Sequence, residues 1–269
     1  MNKHQMTGPV DGFERRYVFF MWAGTNPLTP DRAAEVYSIL SNTHCPCVYL
    51  TRESLWKWEL PEAPFHPALP YLSATHVSDY LRAYLMHHYG GGYSDVKFTY
   101  KHWDEAFATL EQSDAFAIGY PVENPEAVAV SPAFPNRDAA LAEFRTDYRA
   151  FLSNCAFIFR RDTEFTREWY RRTVEILDSK LELVKANPAR HPRDFKGTVL
   201  PDGSISQYPI EYIEIACDAF TPTLWKFKNK ILNFDLAPLH VFHYDLDVPG
   251  FREAKIEYLN NYLSTWPKA

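Results

Sequence analysis

The sequence predicts an α/β domain with a mostly parallel central sheet flanked by helices. Short apolar runs bounded by turn residues alternate with longer segments in which apolar residues recur every three or four positions. The runs suit buried parallel strands and the longer segments suit amphipathic helices, and this alternation is typical of parallel sheets. The chain has 269 residues, of which 46% are hydrophobic, and this suffices for one large domain with a sizeable core.

The first strand–helix–strand unit is predicted near the amino terminus. Residues 17–21 (YVFFM) predict a strand, residues 31–40 a helix, and residues 47–50 (CVYL) a second strand. A helical connection of this kind makes the two strands parallel. Trp22 then lies at the carboxyl end of the first strand, where such sheets bind their ligands. The helix positions predicted to face inward are Ala33, Val36, Tyr37 and Leu40.

Residues 73–100 carry the pattern around which the chain is organised. They begin as an amphipathic helix and continue into three consecutive glycines, Gly90 to Gly92, which suit a helix C-cap and a tight turn. The apolar face of this helix is predicted to comprise Val77, Tyr80, Leu81, Tyr84, Leu85 and Tyr89.

A strand is predicted after the glycines, and its side chains alternate between two faces. Tyr93, Asp95 and Lys97 fall on one of these faces. Asp79 and Arg82, three residues apart, project together from the preceding helix. The helix–turn–strand sequence therefore predicts that these charged side chains meet in one small region. The simplest alternative for Asp79 and Arg82 is an ion pair on the helix surface.

The rest of the chain continues the alternation of helices, strands and loops. Residues 187–209 are predicted to form a loop that covers the carboxyl edge of the sheet as an acceptor-side lid. Glu211 and Glu214 share one face of a predicted helix and are candidates for a general base. Helices are predicted at 103–110, 138–152, 163–185, 210–219 and 251–263, strands at 115–119, 154–160 and 233–236, and loops at 52–72 and 121–136.

Composition excludes several classes of protein. The net charge is −6 with Lys and Arg dispersed, so we expect no nucleic-acid partner. No apolar run approaches the roughly 20 residues needed to span a bilayer, so no transmembrane segment is predicted. The first residues lack the apolar core of a signal peptide, which favours a cytoplasmic protein. The four cysteines lack zinc-site spacing and are interpreted as reduced thiols.

The pattern Ser-Asp-x-x-Arg, followed by Tyr-Gly-Gly-x-Tyr-x-Asp, resembles the sugar-nucleotide-binding region of the DXD-type glycosyltransferases. That family includes initiating mannosyltransferases, capsular polysaccharide synthesis proteins and the clostridial glucosylating toxins. The resemblance implies a single GT-A-type domain over 1–269, with a nucleotide-sugar-binding half at 17–120 and an acceptor-side half at 121–269. It also implies transfer of a hexose from a UDP- or GDP-sugar to a glycan or other hydroxyl acceptor, as in polysaccharide biosynthesis.

The same resemblance assigns roles to individual residues. In the family, the helix Asp and Arg hold the donor sugar and ribose, and these positions are Asp79 and Arg82. The first Asp of the DXD strand contacts ribose and sugar hydroxyls, and it corresponds to Asp95. A Trp after the first strand stacks on the donor base, which corresponds to Trp22 in FMWAG. The other residues predicted to bind the donor are Ala23, Gly24, Gly91, Gly92 and Tyr93.

Lys97 stands where the family has the second, metal-binding acid. A lysine there can stabilise the diphosphate itself, so that the enzyme needs no metal cofactor and Asp95, Lys97 and Arg82 form the catalytic set. Alternatively, Lys97 merely pairs with Asp95. A third possibility is that Mn²⁺ or Mg²⁺ is held by Asp95 with His243 or Asp245 from the tail.

Two other functions remain open on the sequence. A GT-A-fold protein that has lost its metal site can bind carbohydrate without catalysis, and a sequence with 16% aromatic residues suits sugar stacking. A nucleotidyltransferase shares the α/β pattern, but it normally carries a glycine-rich, cationic loop after the first strand. The segment from Trp22 to Pro27 has no cation.

Overall fold

The computed structural model describes residues 16–238, which contain one six-stranded sheet with the strand order β2-β1-β3-β5-β4-β6. The strands are β1 (Val18–Trp22), β2 (Cys47–Thr51), β3 (Gly91–Ser94), β4 (Ala117–Pro121), β5 (Leu152–Phe159) and β6 (Ile231–Asn233). The α-helices are α1 (Pro30–Asn42), α2 (Ala74–His88), α3 (Asp104–Glu111), α4 (Arg137–Phe144), α5 (Glu164–Ala186) and α6 (Ala219–Lys226).

The sheet is mostly parallel, which confirms the predicted α/β class. β2, β1 and β3 are parallel neighbours, as are β4 and β6, whereas β5 runs antiparallel to both β3 and β4. β5 pairs with both β3 and β4, so one sheet contains strands from both sides of the predicted boundary at residue 120. The division of 1–269 into one domain with two halves stays a prediction, because residues 1–15 and 239–269 lie outside the described part.

Helices cover both faces of the sheet, as the alternation along β1 illustrates. Val18 packs with Trp103 and α3, and Phe20 packs with Ile39 of α1. Phe19 and Met21 belong instead to the large cluster that includes α2, α5 and α6. The result is a layered arrangement in which α2 packs against both the sheet and α5, so that ten of its residues are buried.

The helix α1 turns its polar side inward, so the inward positions predicted at Ala33, Tyr37 and Leu40 are wrong, whereas Val36 is partly buried against Phe20 and Ile39. Its buried residues are Arg32, Glu35, Ser38 and Ile39, whereas Tyr37 and Leu40 are each about half exposed. The polar side chains bind the segment that follows β3, and that requirement overrides the apolar periodicity.

The strand β3 is shorter than predicted and starts earlier. It begins at Gly91 and ends at Ser94, so Asp95 and Lys97 lie beyond it in a tight turn closed by a 2.8 Å bond from the N–H of Lys97 to the carbonyl oxygen of Asp95. The last ladder partner of β3 on β5 is Ala156. The N–H of Asp95 still donates to the carbonyl oxygen of Cys155 at 2.7 Å, after which the backbone leaves the sheet, so the strand predicted after the glycines is wrong from Asp95 onward.

The three glycines are required by close backbone packing. Gly90 and Gly91 have φ of +68° and +91°, and a Cβ on Gly91 would lie 2.9 Å from the carbonyl oxygen of Tyr17. A Cβ on Gly92 would lie 2.7 Å from the indole of Trp103. These glycines therefore let β3 start directly against β1 and α3.

Gly91→Ala is expected to lower the free energy of unfolding by about 2–4 kcal/mol, because a left-handed conformation and a steric clash act together. Gly197→Ala is a matched control, since Gly197 has φ of +81° and a Cβ added there would meet no atom within 4 Å. The control should cost about 1 kcal/mol, from backbone strain alone. Urea denaturation measures both, and equal losses in the two variants would contradict the role of close packing.

Other boundaries differ from the prediction for identifiable reasons. The helix predicted over 138–152 stops at Phe144, because the chain turns through a 3₁₀ segment into β5. The helix predicted over 210–219 instead begins as a π-helical turn (Glu214–Asp218) that leads into α6. Pro222 would crowd the carbonyl of Asp218 in a regular helix, and the wider turn accommodates it. The helix predicted at 251–263 lies outside the described residues.

The loop 187–209 is attached to the amino end of α2 through His76. The His76 imidazole contacts the Tyr208 hydroxyl (3.0 Å) and, through Nε2, the carbonyl oxygen of Glu211 (3.1 Å). Burial lowers the pKa of His76 to about 4, although its hydrogen bonds to backbone carbonyl oxygens oppose this shift.

Within residues 16–238, no helix combines the length and apolar character needed to cross a bilayer.

The neutral His76 predicts a specific loss of stability in acid. Unfolded histidine takes up a proton near pH 6.5, whereas folded His76 does so only near pH 4, so stability falls as the pH drops from about 6.5 to 4. The full contribution of the His76 titration to the free energy of unfolding is about 3 kcal/mol. Denaturant unfolding at pH 7, 5.5 and 4.5 should show a smaller loss in His76→Gln than in the wild type. Parallel losses in the two proteins would rule out this titration.

Candidate functional site

The charged residues of the central segment lie where the strand order reverses. From β1 the chain passes to β2 on one side and then crosses to β3 on the other, so β1 and β3 are neighbours with a crevice beyond their carboxyl ends. Such crevices are the usual ligand sites of open α/β sheets. Trp22 ends β1, and Asp95 directly follows β3.

Asp79 and Arg82 form a buried ion pair, so the interpretation as a surface pair is wrong. The Arg82 Nη2 donates to Asp79 Oδ1, and Nη1 donates to the carbonyl oxygen of Asn154 at 2.7 Å. The guanidinium also lies over the Tyr93 ring, 5.1 Å from its centroid. Arg82 thus joins α2 to both β3 and β5.

The contacts continue from Tyr93 to the two residues beyond β3. The Tyr93 hydroxyl donates to Asp95 Oδ1 at 2.8 Å, and the Lys97 ammonium lies 3.4 Å from Asp95 Oδ2. Lys97 Nζ also donates to the sulfur of Cys155 at 2.8 Å. The structure therefore brings Asp79, Arg82, Tyr93, Asp95 and Lys97 together in one connected chain of side chains.

Exposure divides this chain into an outer and an inner part. The side chains of Asp95 and Lys97 are 26% and 15% exposed, whereas that of Asp79 is 2% exposed. A ligand in the crevice would therefore meet Asp95 and Lys97 directly. Asp79 lies behind them and fixes the orientation of Arg82.

Electrostatics keep Asp95 and Lys97 charged. Burial raises the pKa of Asp95, but Lys97 and Arg82 more than offset this effect, so the pKa lies below its ordinary value. Burial likewise lowers the pKa of Lys97, and Asp95 reverses this effect, so its pKa lies above the ordinary value. The inner carboxyl differs, because burial raises the pKa of Asp79 to about 6 despite Arg82. At neutral pH the site thus presents a carboxylate acceptor beside an ammonium donor.

The start of β5 contributes residues that the sequence did not single out. Because β5 is antiparallel to β3, its first residues lie beside the carboxyl end of β3. Cys155 there contacts Lys97, and Asn154 supplies the carbonyl that binds Arg82. Asn154 Oδ1 and Arg82 Nε are buried and make no hydrogen bond within the described part of the chain. The sequence does show Asn154 and Cys155 at the start of an apolar run. Placing them beside Arg82 and Lys97 also requires the direction of β5, which the sequence does not give.

A cleft of about 250 Å³ opens at the same edge of the sheet. Ala23 and Gly24, just after β1, line it together with the amino end of α2. A Cβ on Gly24 would lie 3.5 Å from that of Ala74. Trp22 is not among the residues that line this cleft; it packs against Phe20, Ile39 and Val96, and its Nε1 donates to the carbonyl oxygen of Asn26 at 2.8 Å. The lining of the cleft also includes the polar side chains of Arg52, Arg190 and His191.

The described residues do not fit a divalent metal ion. Within 16–238 there is no group of three or more His, Cys, Asp or Glu side chains able to hold one. The ammonium of Lys97 lies 3.4 Å from Asp95 and would repel a cation there. His243 and Asp245, the alternative ligands, lie outside the described residues.

Gly91 and Gly92 lie at the other end of β3 from Asp95. With a rise of about 3.3 Å per residue, they are separated from it by roughly 10–13 Å. Their close neighbours are Tyr17 and Trp103, so we leave both glycines out of the candidate site.

Glu211 and Glu214 are both engaged elsewhere. Glu214 is buried, lies 3.1 Å from the Lys180 ammonium and accepts from the backbone N–H of Glu211. The Glu211 carboxylate pairs with Lys196 at 2.9 Å. Because the predicted helix does not form over 210–213, the two glutamates do not share a helix face, and neither is retained as a general base.

Comparison with known proteins finds similarity only among solved structures, where five chains match. No protein-family profile matches the sequence, and no curated protein matches it. Among solved structures, a chain described as "PaToxG Glycosyltransferase" has a TM-score of 0.42 and 10% identity, and the match covers 93% of this chain and 75% of that chain. At that level of similarity the neighbour assigns no activity to this protein.

Proposed function

We propose that this protein is a GT-A-type glycosyltransferase that moves a hexose from a nucleoside diphosphate sugar to a glycan or other hydroxyl acceptor. One observation carries the proposal above the others. The chain of contacts from Arg82 through Tyr93 and Asp95 to Lys97 ends at the crevice between β1 and β3. Arg82, Tyr93 and Asp95 belong to the pattern by which the sequence resembles the sugar-nucleotide-binding region of DXD-type enzymes, and Lys97 stands where that family has its second acid.

The reaction needs a negatively charged and a positively charged side chain at adjacent positions. Breaking the anomeric C–O bond builds positive charge on the sugar and negative charge on the leaving diphosphate. Carboxylates are strong acceptors for sugar hydroxyls, and cations stabilise phosphate oxygens. Asp95 and Lys97 supply this pair within 3.4 Å of each other.

Lys97 is suited to the leaving group. An ammonium has three N–H donors, and among the described residues Lys97 directs its contacts to Asp95 and Cys155. One donor is therefore left for a diphosphate oxygen. Arg82 acts from behind, where its charge and the Tyr93 hydroxyl keep Asp95 ionised and oriented. We assign the nucleoside to the cleft beside Ala23 and Gly24, because this cleft lies at the same sheet edge.

The proposal is tested by hydrolysis and binding assays on a panel of UDP- and GDP-sugars. We expect slow hydrolysis of one donor, and measurable binding of the matching nucleoside diphosphate. Assays with EDTA and with added Mn²⁺ separate metal-dependent from metal-independent turnover. Binding without turnover under every acceptor tried would instead favour a carbohydrate-binding protein of the same fold, and absence of any binding would refute both.

A further inference from the structure

One side of α1 carries a polar stripe formed by Arg32, Glu35, Ser38 and Asn42. This stripe is unusual because it buries an ion pair almost completely. Arg32 and Glu35, one helical turn apart, pair with each other and are 5% and 1% exposed. Removing two charges from water costs several kcal/mol per ion before pairing, so such a pair often contributes little to stability. Its position therefore calls for a role other than stabilising the fold.

The stripe binds the backbone that follows Asp95. Arg32 Nη1 donates to the carbonyl oxygen of Val96 at 2.5 Å. Ser38 Oγ accepts from the N–H of Thr99 at 2.9 Å, and Asn42 Nδ2 donates to the Thr99 carbonyl oxygen at 2.7 Å. Because β3 has ended at Ser94, these bonds replace the sheet ladder over residues 96–99.

Lys97 lies between the two anchored residues. Its neighbour Val96 is held by Arg32 and packs in the cluster with Ile39 of α1. Burial raises the pKa of Glu35 to about 7, and the charges of Arg32 and then Lys97 oppose that rise. Glu35 is thus close enough to interact electrostatically with Lys97 as well as with Arg32.

We propose that the buried Arg32–Glu35 pair of α1 is a positioning device for Lys97, which holds the turn over 95–99 so that the ammonium stays beside Asp95. The pair reaches the ligand only through Lys97, and its effect on donor binding rests on the function proposed above. The positioning of the turn itself does not depend on that function.

The test replaces the pair by apolar residues of similar size, in Arg32→Met/Glu35→Leu. Such replacements of buried ion pairs usually preserve stability, so the variant should keep its melting temperature. Backbone amide exchange is then followed by NMR in the ligand-free protein. We expect the amides of Lys97 and Thr99 to exchange about tenfold faster or more, while those of α2 are unchanged.

Two further variants make the result specific. Ser38→Ala removes the acceptor of the Thr99 N–H and should speed exchange at Thr99 in the same direction, even if the double variant fails to fold. Arg171→Met/Glu175→Leu removes an exposed ion pair on α5 and should leave exchange at Lys97 and Thr99 unaltered. Unchanged exchange in both α1 variants would overturn the proposal.

Donor affinity gives the second readout, with UDP-glucose and GDP-mannose as probes. Arg32→Met/Glu35→Leu should weaken binding about tenfold, and the same change in a Lys97→Met background should have no further effect. Equal losses in both backgrounds would show that the pair acts on the fold in general and would overturn its action through Lys97. If the wild type binds neither probe, that result counts against the proposed function, and amide exchange alone decides the positioning role.

Discussion

Asp95→Ala is expected to remove nearly all transfer activity while leaving a folded protein. The substitution deletes the carboxylate that is 26% exposed to the crevice and that accepts the Tyr93 hydroxyl bond. Loss of one or two charge-assisted hydrogen bonds to the donor corresponds to at least a roughly 100-fold fall in kcat/KM, on the order of 3 kcal/mol or more. Initial-rate measurements on the donor identified by the hydrolysis panel provide the test.

Asp95→Asn is the matched control, because it keeps the shape of the side chain while it removes the charge and replaces one acceptor oxygen by an NH2 donor. It should retain an acceptor for Tyr93 and lose most of the activity, which assigns the effect to the carboxylate. Calorimetric melting of all three proteins checks folding. An Asp95→Ala enzyme with wild-type kcat/KM would show that the site lies elsewhere.

Lys97→Ala is expected to weaken donor binding by about 1.5–3 kcal/mol, the size of a charge-assisted contact. The wild type should keep its activity in EDTA and gain little from Mn²⁺ or Mg²⁺, because Lys97 supplies the positive charge at the diphosphate. Lys97→Asp restores two acidic side chains and should create a metal requirement that the wild type lacks. Titration calorimetry with the donor, with and without metal, measures each of these effects.

The contrary result for Lys97 is well defined. If EDTA abolishes wild-type activity and Mn²⁺ restores it, then Asp95 must hold a metal together with residues outside the described part, such as His243 or Asp245. In that case Lys97→Ala would change donor affinity little, and His243→Ala would reproduce the effect of the chelator. Lys97 would then only pair with Asp95.

Local patterns in the sequence were sufficient for the fold class and for the convergence of the charged side chains that form the candidate site. The helical period of α2, the glycines after it and the acid beyond them predicted that Asp79, Arg82 and Asp95 would converge, and the structure brings them together. This succeeded because the residues belong to one short helix–turn–strand segment. Their short separation in sequence keeps them close in space, even though Asp95 and Lys97 follow β3 in a turn rather than sharing a strand face.

Features that depend on distant contacts were decided only by the tertiary structure. No local pattern indicates the direction of β5, so Asn154 and Cys155 could not be placed beside Arg82 and Lys97 in advance. Nor does any local pattern reveal that α1 faces inward with Arg32 rather than with Tyr37. Apolar periodicity identifies a helix and its apolar side, but which side is buried depends on what the helix packs against. In α1 that partner is the backbone after β3, whose carbonyl and N–H groups require polar partners once the strand has ended.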